Sequence, residues 1–115
     1  MSNYIALFIT DLVFQSQVRV AMQGAAPELR FVFSPQMLPA DEPPALAVFD
    51  LSSGDLEALR LFREKFPEVA TLAFLPHVET TLRQHAVALG CLRVVSRFEF
   101  SNNIRKLLTE PYANV

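Results

Sequence analysis

Within 115 residues, short and largely apolar runs alternate five times with segments long enough for a helix or a connecting loop. A brief apolar run bounded by polar residues reads as a strand covered on both faces. Ile5-Ala6-Leu7-Phe8-Ile9 is the first, and Leu29–Phe33, Ala45–Phe49, Val69–Leu75 and Cys91–Val95 follow. Between them the apolar period changes. Phe14, Val18, Ala21, Met22 and Ala25 recur at helical steps, with Gln15, Gln17, Arg19 and Gln23 on the opposite face. Leu56, Leu59, Phe62 and Phe66 repeat the pattern, as do Leu82, Ala86 and Leu89. Ile104, Leu107 and Leu108 mark a last helix, with Ser101 placed to cap it and Pro111 to end it. One connection breaks the rule. Pro35, Pro39, Pro43 and Pro44 leave room for a single helical turn around Gln36–Leu38.

Strands separated by helix-length segments imply a parallel sheet with helices on both faces. At this length a single domain over residues 1–115 is expected, a flavodoxin-like α/β fold with five strands in the order 2-1-3-4-5. Its second helix should be missing or very short. Several function classes fall away early. Unbroken apolar runs such as Ile5–Ile9 fall far short of the roughly 20 residues of a bilayer span, so no membrane role is expected. No signal peptide is visible and Cys91 is the only cysteine, which points to a cytoplasmic protein without disulfides or a thiolate zinc site. A net charge of −2 with no basic block argues against nucleic-acid binding. The first strand–helix turn, Thr10-Asp11-Leu12-Val13, has no glycine to cradle a phosphate, and no Ser or Cys sits in a nucleophile elbow. The chain is therefore not expected to be an enzyme.

In a sheet of this order, chemistry collects outside the carboxyl ends of the strands, at the switch between strands 1 and 3. Asp11 follows strand 1 and Asp50 ends strand 3, so the topology brings two carboxylates to one rim. At these residues the chain resembles, over essentially its full length, the receiver domain of bacterial response regulators, the CheY-like superfamily. Ile9-Thr10-Asp11 stands where that family carries two acidic residues, and only the second is kept. Val48-Phe49-Asp50-Leu51 matches the strand of the phosphoacceptor, with Ser52 where a backbone carbonyl meets the metal. Ala73-Phe74-Leu75-Pro76-His77 matches the end of strand 4, with Leu75 in place of the switch Ser or Thr. Gly90–Arg97 matches the final strand, Arg97 replacing a lysine and Phe98 a proline.

The resemblance implies two-component or phosphorelay signalling, with Asp50 as the phosphoacceptor candidate and magnesium held by Asp11, Asp50 and the Ser52 carbonyl. The departures imply a degenerate pseudo-receiver. A carboxylate a few ångströms from a cation couples to it by roughly 4 kcal/mol at an effective dielectric near 20, so Thr10 weakens the magnesium site without abolishing it. No cofactor is then required. Leu75 has no hydroxyl to report a phosphoryl group, whereas Arg97 keeps a cation able to clamp phosphate or the Asp50 carboxylate. Arg97 is expected to reach Asp50 when metal is absent.

Blander readings accompany these. Asp11 has the position of a helix N-cap, Asp50 could cap its own loop, and Arg97 could be a surface cation paired with Glu99 or Asp50. His77 and His85 are too far apart to share a metal, and Cys91 suits a buried, inert thiol. The function favoured is a protein-interaction module whose partner is a histidine kinase, another signalling protein, or a second copy. It would act through the face of the helix after strand 4, strand 5 and the last helix, where Phe98 and Phe100 flank Glu99 as aromatic surface. The alternative is a stand-alone response regulator still phosphorylated on Asp50 with magnesium.

Overall fold

The computed structural model describes residues 3–77 and 80–110. Strands β1 (Tyr4–Phe8), β2 (Glu28–Phe31), β3 (Leu46–Asp50), β4 (Thr71–Leu75) and β5 (Arg93–Ser96) form one sheet in the order β2-β1-β3-β4-β5. Every pairing is parallel, with Leu7 opposite Phe31 and Val48, Phe49 opposite Ala73, and Phe74 opposite Val95. Helices α1 (Leu12–Ala21), α2 (Glu57–Lys65), α3 (Thr80–Ala88), α4 (Arg97–Asn102) and α5 (Ile104–Thr109) surround it. Alternate residues of each strand feed opposite faces. Tyr4, Ala6, Phe8, Ala47, Phe49, Ala73 and Leu75 pack under α2 and α3 with Leu59, Phe62 and Ala86. Ile5, Leu7, Val48, Leu72 and Phe74 pack under α1, α4 and α5 with Phe14, Val18, Phe100 and Leu107.

Between β2 and β3 the chain makes only one 3-10 turn, Pro35–Met37, capped by the Ser34 hydroxyl, which accepts from the Gln36 N–H. Pro35 and Leu38 are buried there. The carbonyls of Pro35 and Leu38 accept hydrogen bonds from the Lys65 ammonium at the end of α2. A lysine from the next helix thus satisfies backbone that a regular second helix would have paired within itself.

The end of the chain differs from the sequence reading. Ser101 caps nothing. The last helical segment begins at Arg97, because Ser96 leaves β5 in extended geometry and its Oγ accepts from the Glu99 N–H at 3.0 Å. Asn103, at φ −138°, breaks the segment into α4 and α5. Pro111, the expected stop, lies outside the described residues. Cys91 sits in the turn before β5 rather than in the strand, and it is buried. After α3, Gly90 adopts φ +95°, the left-handed conformation expected of a helix stop.

Candidate functional site

Because all five strands run in one direction, Asp11, Asp50, Leu75 and Arg97 reach the same rim of the sheet. Each is held differently. The Gln15 side chain, buried, donates to the Ile9 carbonyl at 2.7 Å and pins the turn from β1 into α1. Asp11 is the N-cap of α1, its Oδ1 accepting from the N–H groups of Val13 (2.9 Å) and Phe14 (3.1 Å). Its Oδ2 accepts from Arg97 Nη2 at 3.3 Å. The Phe14 N–H foremost, with the Val13 N–H and Arg97 adding smaller effects, holds this carboxyl below the usual aspartate range, against an opposing desolvation second only to the Phe14 bond.

Asp50 ends β3 half-buried, and the Leu51 N–H continues the ladder to the Phe74 carbonyl at 2.9 Å. The chain then turns at once, with Gly54 N–H donating to the Leu51 carbonyl and Gly54 at φ +82°. Inside that turn Asp50 Oδ1 accepts from both the N–H and the hydroxyl of Ser52. Ser52 therefore meets Asp50 through its donors. Oδ2 of Asp50 has no partner among the described residues.

Arg97 does not reach Asp50. It is the first residue of α4, which packs on the α1 side of the sheet, and its guanidinium lies 4.8 Å from the centre of the Phe14 ring. From there Asp11 is the carboxylate within reach, and one oxygen of Asp50 is already taken by Ser52. Leu75 is fully buried on the opposite side, packed in the cluster under α2 and α3. His77 and His85 are exposed, and among the described residues no three His, Cys, Asp or Glu side chains converge as a metal cage. Magnesium demands near-octahedral oxygen ligands at 2.0–2.1 Å. An Asp11 carboxylate already bonded to two amides and a guanidinium, beside a threonine and an Asp50 drawn onto Ser52, does not fit that demand.

The aromatic pair expected at the surface divides. Phe98 is 79% exposed and Phe100 0%. On a helix, residues two apart point about 200° away from each other, so both cannot face solvent once the segment is helical. Phe100 stacks on Phe74 with ring centres 4.4 Å apart and meets Phe14 at 5.7 Å. Phe98 instead borders an open groove of about 890 Å³ between α1 and α4, along with Val13, Gln17, Val20 and Asn102. Leu12 and Val13, 75% and 69% exposed, extend this apolar rim. Sequence reasoning missed these residues. The available signal was that Leu12, Val13 and Val20 are apolar yet fall off the stripe that α1 buries.

No protein-family model matches the sequence, and no curated protein does. Solved structures do match. A receiver domain protein (CheY-like) from Methanospirillum hungatei JF-1 superposes with a TM-score of 0.81 at 12% identity, covering 99% of this chain and 96% of that one. The fold is that of a response-regulator receiver domain. A response regulator from Thermotoga maritima gives 0.78 at 14% identity over 98% and 99% of the two chains. A CheY-like response regulator from Mesorhizobium loti gives 0.75 at 19%, over 95% and 98%. Within this receiver fold, Asp50 occupies the end of the central β3 strand and Asp11 the first turn after β1. Among the described residues no helix is long and apolar enough to cross a membrane.

Proposed function

We propose that this chain is a pseudo-receiver, a signalling module that works in the cytoplasm through protein contacts and whose phosphoacceptor site is degenerate. The observation that carries the proposal is the apolar rim at the carboxyl end of the sheet, where Leu12, Val13 and Phe98 stand exposed beside Asp11. Large apolar side chains held on rigid helix starts are suited to anchor a partner, and aromatic anchors dominate binding energy at interfaces. On the opposite side of the sheet, Leu75 supports the second half of the reading. A buried leucine at the end of β4 has no hydroxyl to draw toward a phosphoryl oxygen, so phosphate chemistry at Asp50 would not be relayed along that strand. The partner face on this reading is the α1–α4 groove, in place of the expected face of α3, β5 and the last helix. A histidine kinase, another signalling protein or a second copy is the class of partner, and neither nucleic acid nor membrane is.

The test compares binding or self-association of the native protein with Phe98→Ser and Asp50→Asn. Phe98→Ser should weaken association and Asp50→Asn should leave it unchanged; the opposite pattern overturns the proposal. One observation favours a second reading, a response regulator still phosphorylated with magnesium. Asp50 Oδ2 has no partner among the described residues, at a half-buried strand end. Magnesium-dependent labelling of Asp50 by acetyl phosphate would support that reading.

A further inference from the structure

The rim of the sheet holds a cation of its own. Asp11 and Arg97 are far apart in sequence, yet each is placed by a helix start rather than by a mobile loop. Asp11 caps α1, and Arg97 is the first residue of α4 behind the Ser96 cap. Three residues after Asp11 and after Arg97 stand Phe14 and Phe100, which pack together and on Phe74 beneath the pair. The guanidinium lies against the Phe14 ring and turns Nη2 to Asp11 Oδ2. Stacking on an aromatic face while bonding a carboxylate is geometry that a planar guanidinium provides and a lysine ammonium does not.

We propose that Arg97 is the resident cation of this site, occupying the carboxylate that a divalent ion would need and tying the first turn of α4 to the first turn of α1 without metal or phosphate. An ionised carboxylate offers about four acceptor positions. Three on Asp11 are used, two by amides that a metal could displace only by uncapping α1. The third is used by Arg97. With Thr10 beside it in place of a second acid, a magnesium ion arriving here must displace a guanidinium and finds one carboxylate fewer. The inference goes beyond the interaction reading above and does not depend on any partner.

Manganese serves as the probe, because its paramagnetism broadens nearby amide resonances, with magnesium as competitor. In the native protein, amides of residues 10–14 and 50–54 should show no saturable broadening at submillimolar manganese. Arg97→Met should unmask binding that magnesium competes away. Thr10→Asp added to Arg97→Met should tighten it by about tenfold or more, the effect of one further carboxylate at a screened distance. A residue that merely supported the fold would lower the melting temperature without creating a metal site. Saturable broadening of the native protein at those amides, removed by magnesium, overturns the proposal, and that result needs no variant to fold. Equal, absent binding in the native protein and in a folded Thr10→Asp/Arg97→Met variant overturns it also. Partner binding plays no part in these outcomes, so they separate from those of the interaction reading.

Discussion

The aromatic stack beneath the carboxyl rim and the rim itself are built from the same two helix starts, and they obey different rules. Below, Phe14, Phe74 and Phe100 are buried and in ring contact. Above, Leu12, Val13 and Phe98 are exposed on the same first turns. The lower layer is determined by periodicity, since a helix packed on a sheet must bury one stripe. Nothing in the packing of this domain requires the upper layer to be apolar. The difference gives the lower residues to stability and leaves the upper ones available for the partner contact proposed above.

The sharpest way to break this division is Phe100→Ala. Removing a fully buried, stacked ring should cost about 3–5 kcal/mol, read as a lowered denaturation midpoint with an unchanged slope. A loss below ~1 kcal/mol would mean that α4 is not anchored by this ring. Gly90→Ala follows, at a site that combines two penalties. The backbone is at φ +95°, and an added Cβ would stand 2.8 Å from Arg63 Nε, which donates to the Leu89 carbonyl while Arg63 Nη1 donates to that of Val69. About 1–3 kcal/mol is expected from the strained conformation.

Asp11→Asn probes the rim with less force. Asparagine keeps a cap acceptor while losing the charge, so the comparison reads what that charge does here, through the Phe14 N–H first and then through the Val13 N–H and Arg97. The folded carboxyl is held below its unfolded value, so its contribution is full above the unfolded pKa and is lost as pH falls through the lower folded one. The difference in melting temperature between native protein and Asp11→Asn should therefore shrink as pH drops through and below the ordinary aspartate range. A difference that grows on acidification would contradict a carboxylate stabilised by these donors. Smallest of all in stability is Phe98→Ser, expected within about 0.5 kcal/mol of native because the ring packs on little. A large loss would place Phe98 with the lower layer.

The sheet and its order were legible because apolar runs of strand length and helical stripes alternate without ambiguity. The proline-rich stretch 35–44 also announced the missing helix. The start of α4 was legible too, yet passed over. Ser96-Arg97-Phe98-Glu99 has the Ser-x-x-Glu spacing of a helix start, and reading it would have sent Phe98 and Phe100 to opposite sides. The partner of Arg97 was not legible at all. Strand order puts Asp11, Asp50 and Arg97 on one rim, but the side of the sheet on which α4 packs decides which carboxylate the guanidinium meets. The capture of Asp50 by the Ser52 N–H is the loop cap that an aspartate at this strand end offers, while the added bond from the Ser52 hydroxyl depends on side-chain torsions that no periodicity reports.

The pseudo-receiver proposal requires that a phosphoryl group at Asp50 leave the neighbouring rim of the sheet unmoved. The direct measurement is the amide spectrum of the native protein before and after magnesium with beryllium fluoride, a phosphoryl mimic. On that proposal, resonances of α3, β5 and α4 stay in place, because the buried Leu75 has no hydroxyl to engage a phosphoryl oxygen and Arg97 already holds Asp11. Saturable shifts spreading from Asp50 to β5 and α4 would contradict it.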